Sequence, residues 1–99
     1  MHSISFTAPA QEDIRSLHYY IATDNPAAAS RLVLRIRDLC EKLRDFPELG
    51  RLREDLPTTR TLRSIGCKPY SIFYEVRENH IEIIRVIHMS MDIQSSELE

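Results

Sequence analysis

Glu54, Arg63 and His88 supply the residue types that cleavage of RNA by its own 2′-hydroxyl requires. Glu54 would serve as general base, Arg63 would hold the phosphate and His88 would act as general acid. No other catalytic arrangement stands out. Neither a nucleophile elbow nor a paired-carboxylate site is present. His2, His18, His80 and His88 are scattered, with no pair at metal-ligand spacing, so no metal is expected. Two glycines in the whole chain exclude the phosphate-cradling loops of nucleotide cofactor sites, and no cofactor is expected. Cys40 falls on an apolar helix stripe and reads as core. Cys67 falls in a turn beside Lys68-Pro69, where it would be the more reactive of the two thiols.

The same residues also support a binding reading. Residues 51–70 carry Arg51, Arg53, Arg60, Arg63 and Lys68 against Glu54 and Asp55, a local excess of three positive charges on a chain of net charge −2. Such a patch suits docking to one acidic surface. The overall charge, with a pI near 6.1, speaks against a broadly basic nucleic-acid-binding face. His88 ends an apolar strand, where a histidine is more often bonded to the sheet or tail than catalytic. Arg85 lies among apolar neighbours and needs a carboxylate, for which Glu75 across the strand pair is the expected partner. Tyr19, Tyr20, Tyr70 and Tyr74 are candidate anchors for a protein partner.

The elements that must position these residues are legible. Ser3 to Thr7 alternates as a short strand. Pro9 opens a helix, with Glu12 and Asp13 near its positive end and a stripe of Ile14, Leu17, His18 and Ile21. Asn25-Pro26 caps and starts a second helix, whose stripe is Leu32, Ile36, Leu39, Leu43 and Phe46. Pro47 to Gly50 ends it. Arg51 to Pro57 reads as a charged loop. Alternating or β-branched runs then follow over 59–65, 70–76 and 81–87, separated by turns at 66–69 and 77–80. The order β-α-α-β-β-β predicts an α+β domain in which a helical hairpin packs on one face of a small antiparallel sheet, leaving the other face and an edge open to a partner. The tail from His88 shows no periodicity.

Ninety-nine residues make a single domain, 1–99, with 42% hydrophobic and 28% charged residues. No apolar run approaches the ~18 residues of a membrane span, and the start lacks the pattern of a secretory signal, so a cytoplasmic chain with free thiols is expected.

Several phrases in this order resemble the RelE/ParE superfamily of type II toxin–antitoxin toxins. They are Ala8-Pro9-Ala10-Gln11-Glu12-Asp13-Ile14, Phe46-Pro47-Glu48-Leu49-Gly50-Arg51, Leu62-Arg63, Tyr70-Ile72-Phe73-Tyr74 and Ile83 to His88, followed by Asp92. The ParE branch is the most similar, in length, in the Pro-Glu-Leu-Gly-Arg junction and in the Arg-Val-Ile-His ending. The resemblance implies a toxin that binds and poisons DNA gyrase without a hydrolytic centre and is neutralised by a cognate antitoxin in a hetero-oligomer. The target would meet Arg51, Arg53, Arg60, Arg63, His88, Ser90 and Asp92; the antitoxin would meet the four tyrosines. The alternatives are a ribosome-dependent mRNA endoribonuclease using Glu54, Arg63 and His88, or a degenerate toxin that only binds its antitoxin. Two departures bear on these. The family often carries an arginine between the histidine and the aspartate, where this chain has Met89-Ser90-Met91. The YoeB-like nucleases carry a tyrosine in the same region.

Overall fold

The computed structural model describes residues 1–98. The elements run β1 (Ser3–Phe6), α1 (Ala8–Ala22), α2 (Pro26–Asp45), β2 (Arg51–Arg53), β3 (Leu62–Cys67), β4 (Tyr70–Arg77) and β5 (His80–His88), with a 3-10 turn at Ser95–Glu97. Both helices begin on side-chain caps. Thr7 Oγ1 accepts the Ala10 amide at 3.1 Å and donates to the Ile84 carbonyl at 2.8 Å, so one hydroxyl both starts α1 and fastens it to β5. Asn25 Oδ1 accepts the Ala28 amide at 3.1 Å, with Pro26 just inside α2. Leu32, Ile36, Cys40 and Leu43 are buried as the stripe predicts, but Phe46 lies beyond the helix end and is 64% exposed.

The five strands lie in the order β1-β5-β4-β3-β2. Three expectations are corrected here. Arg51–Arg53, read as part of a loop, pairs antiparallel with β3 and forms one edge. The sheet is mixed, because β1 pairs parallel with β5 at the other edge. His80 fastens that parallel pair, its two ring nitrogens each 2.7 Å from a serine hydroxyl, Ser3 and Ser5. Gly66 and Cys67 extend β3 instead of forming a turn, and Cys67 is 3% exposed, so it is not the accessible thiol that a turn position implied.

β5 is buried on both faces, which explains its near-continuous apolar sequence. Ile81, Ile83 and Val86 join the core under the helices with Ile72 and Tyr74. Ile84 and Ile87 face the other way, with Leu62 and Phe73. A register shift opposite Phe73 and Tyr74 makes Ile84 the extra residue, which re-aims the side chains that follow it. The far face is not left open, as the element order had suggested. Leu98 is fully buried there, and Ile93 and Leu56 pack on the same cluster. The aperiodic tail and the 54–61 loop thus build a second, smaller core.

Candidate functional site

The far face of the sheet carries a shallow hollow of about 460 Å³ between the 53–57 loop and the tail. Arg53, Asp55, Ser71, Phe73, His88 and Asp92 are among its walls. Arg53 reaches it from the edge strand. Its Nε and Nη2 donate to the two Asp55 carboxylate oxygens at 2.9 and 2.8 Å, and its Nη1 donates to Ser64 Oγ at 2.9 Å. The guanidinium carbon stands 5.7 Å from the centre of the Phe73 ring, within cation–π range. The hydrogen bonds from Arg53 hold the Asp55 carboxyl well below the usual carboxylate range. The Arg53 charge is therefore bound internally and only partly offered to a ligand.

His88 sits where this hollow meets a second one of about 590 Å³ beside α1, which Tyr20, Tyr70 and Arg85 help to line. Its ring makes an edge-on contact with Tyr70 at 5.2 Å between centroids. The Ser90 amide, which can only donate, points at Nδ1 from 3.1 Å, and the Ser90 hydroxyl lies 2.7 Å from the same atom. Nδ1 is thus the acceptor, and the neutral ring carries its proton on Nε2. Ser90 sets the tautomer of a histidine that is itself exposed.

The other cations do not converge here. Arg60 lies 3.7 Å from Glu75 and 3.9 Å from Glu82, and Arg77 bonds the same two carboxylates at 2.6 and 3.1 Å. These contacts pin the 54–61 loop against the sheet. Arg63 pairs with Tyr74 in the register and so points to the helix side, where its Nη1 donates to the Gly50 carbonyl at 2.8 Å. Glu54 is exposed and is not among the walls of the hollow. The set Glu54, Arg63 and His88 is therefore not assembled: Arg63 pairs with Tyr74 and His88 with Tyr70, on the two strands that flank β4 and four residues, about 13 Å, apart along it. Arg51 is exposed at the β2 edge, and Ser90 and Asp92 are exposed on the tail.

The tyrosines divide as well. Tyr19 and Tyr20 are 78% and 73% exposed on α1, and Tyr70 is half-buried. Tyr74 is fully buried, with its hydroxyl accepting from the Gly50 amide and donating to the Pro47 carbonyl, each at 2.8 Å. It is a core residue and presents nothing to a partner. Arg85 also departs from expectation, taking Asp13 of α1 in place of Glu75. Asp13 carries no local signal of this role, whereas Asp55 does: it follows Arg53 by two residues, the spacing that places side chains on one side of an extended chain. Among the described residues, no group of three histidines, cysteines or carboxylates could hold a metal ion. No helix of the described chain is long and apolar enough to cross a membrane.

Fold and geometry define a class: a small α+β domain, a helical hairpin on a mixed sheet, whose polar groups line open hollows and bond chiefly to one another. The family model described as the ParE toxin of type II toxin–antitoxin system, parDE, matches residues 4–93. The chain is 34% identical over 89 residues to Toxin RelE2 of Caulobacter vibrioides, spanning 89% of this chain and 96% of that one. It is 28% identical to Toxin ParE3 of the same organism, over 88% of this chain and 86% of the relative. A solved structure titled chromosomal ParDE TA system from P. aeruginosa shares the fold, with a TM-score of 0.73 over 89% of this chain and 96% of that chain, at 22% identity. The chain belongs to the ParE toxin family of type II toxin–antitoxin systems.

Proposed function

We propose that this toxin arrests growth by binding DNA gyrase, and that a cognate antitoxin neutralises it in a hetero-oligomer. The observation that carries this reading is the separation of Arg63 from His88. Arg63 is tied to the Gly50 carbonyl, four residues along β4 from the register position of His88, and Glu54 is not among the residues lining the hollow, so the base and the phosphate clamp of a nuclease are not in place beside it. What remains accessible suits contact with another macromolecule: Arg51, His88, Ser90 and Asp92 toward the target, with Arg53 and Arg60 stiffening the surface between them. Tyr19, Tyr20 and Tyr70 are the tyrosines left for the antitoxin, since such side chains bury large area at low entropic cost. Membership of a family described by its toxin–antitoxin pair supports the partner.

The test is to incubate the purified toxin with gyrase, ATP and supercoiled plasmid. The expected result is linear DNA trapped as a gyrase cleavage complex, with ribosome-bound mRNA intact in a parallel reaction. Cut mRNA beside unaffected gyrase would overturn the reading. Inertness in both assays, together with tight antitoxin binding, would identify a degenerate toxin.

A further inference from the structure

The exposed side of α2 carries cations that form no ion pair among the described residues and are only partly offset by Asp38 between them. Arg35 and Lys42 of α2 and Lys68 of the β3–β4 turn border one hollow of about 520 Å³, floored by Leu39, Gly66 and Cys67. All three cations are exposed, and among the described residues none lies within ion-pair distance of a carboxylate. This contrasts with Arg53, Arg60, Arg77 and Arg85, each of which is paired. Asp38 is the one acid on the rim, so the hollow carries a net charge of +2. Arg31, also exposed, extends the row by one helical turn toward the start of α2.

We infer that this row is a docking surface for the phosphodiester backbone of duplex DNA. The surface is additional to the hollow around His88 and does not depend on the gyrase reading. Three features select the ligand. The cations come from two elements and face one space, so a polyanion can neutralise all of them together. A protein partner needs a cluster of apolar or aromatic anchors, and the hollow offers only Leu39, half-buried, with Leu34, 60% exposed, beside Arg35 outside it. A single strand is held by stacking on aromatic rings, and the hollow has none. A helix instead holds its charges at fixed intervals, Arg35 and Lys42 about 10 Å apart along the axis, and a rigid duplex can meet such fixed charges without first being ordered. The chain's net charge of −2 keeps such binding weak, and its origin in phosphate neutralisation makes it salt-dependent.

The test is fluorescence anisotropy of a short labelled duplex titrated with the full chain across a salt series. A Kd on the order of 10⁻⁵ M at low salt is expected, with log Kd rising against log salt at a slope of about 3, roughly 0.9 per phosphate neutralised. The combined variant Arg35→Gln, Lys42→Gln, Lys68→Gln should weaken binding at least about tenfold and flatten that slope while melting at the same temperature as the parent. Arg15→Gln, on α1, should change neither. The inference is overturned if the duplex does not bind at low salt or if the triple variant binds as the parent does. Equal binding of polyglutamate, or tighter binding of single-stranded RNA, also overturns it.

Discussion

Asp13 and Arg85, 72 residues apart, close a two-pronged ion pair at 2.7 and 2.8 Å that ties α1 to the middle of β5. The same carboxylate accepts the Val86 amide at 2.9 Å, and the free arm of Arg85 donates to the Glu97 carbonyl at 3.1 Å. One pair therefore joins helix, sheet and tail. It sits just past the register shift in β5, where a backbone amide needs a partner outside the ladder. Breaking it by Asp13→Ala should cost about 2–3 kcal/mol, below the ~3–5 of a fully buried pair because the two side chains keep 15% and 19% exposure. A double-mutant cycle with Arg85→Met in urea melts should return a coupling energy above about 1 kcal/mol.

Gly50 is held by contact. A Cβ there would meet the Tyr74 hydroxyl at 2.6 Å and the Ser64 carbonyl at 2.7 Å. Gly50→Ala should destabilise by about 1–3 kcal/mol through overpacking. Tyr74→Phe should cost a similar ~1–3 kcal/mol, because it strands the Gly50 amide and the Pro47 carbonyl. Thermal melts of the two variants and the pair check this, and the pair should lose less than the sum.

The far-face core predicts a stabilising tail. Leu98 is fully buried against Phe73 and Ile87, so Leu98→Ala should cost about 2–4 kcal/mol. Met91, 48% exposed on the same tail, should tolerate alanine within about 0.5 kcal/mol. Denaturant midpoints distinguish a packed tail from a loose one.

Burial pushes the Cys40 thiol up to about 12, with Cys67 and Glu41 adding to the effect. The folded state then holds a proton that the unfolded chain releases near pH 9. Between those values the native state binds more protons, and stability falls as pH rises, by about 1.4 kcal/mol per unit for this group. Below pH 8 the contribution is complete. Urea midpoints at pH 8 and pH 10 should separate more for the parent than for Cys40→Val, and native Cys40 should resist alkylation until the chain unfolds.

Glu54→Gln separates binding from cleavage. Glu54 is exposed and does not line the hollow that His88 borders, so growth arrest and gyrase inhibition should stay within about threefold of the parent, a rim-contact effect. A general base would lose about 10²–10⁴ in rate. Dose–response of growth arrest on graded induction makes the comparison.

Both helices could be read from their stripes, caps and prolines, and the last two strands from their β-branched runs, because these signals act over a few residues. β2 could not, since three residues of Arg-Leu-Arg acquire strand character only by pairing with β3. The candidate site was legible as residue types and not as a place. Arg53 and Arg63 look alike in sequence, yet one lies over Phe73 on the far face and the other reaches Gly50 on the helix face. Their ten-residue separation says nothing of sidedness until the register of β3 against its neighbours is set.

Local pattern alone therefore determined the helical hairpin, the closing strands and most of the apolar stripes, and short phrases of sequence carried the resemblance to the family. Tertiary structure alone decided which carboxylate Arg85 takes, which tyrosine is core and what covers the second face of the sheet. The physical reason is range. Capping and periodicity are satisfied within a turn or two of chain. A partner for a half-buried charge, or a cover for Leu98, is whatever distant surface the packed sheet brings within reach.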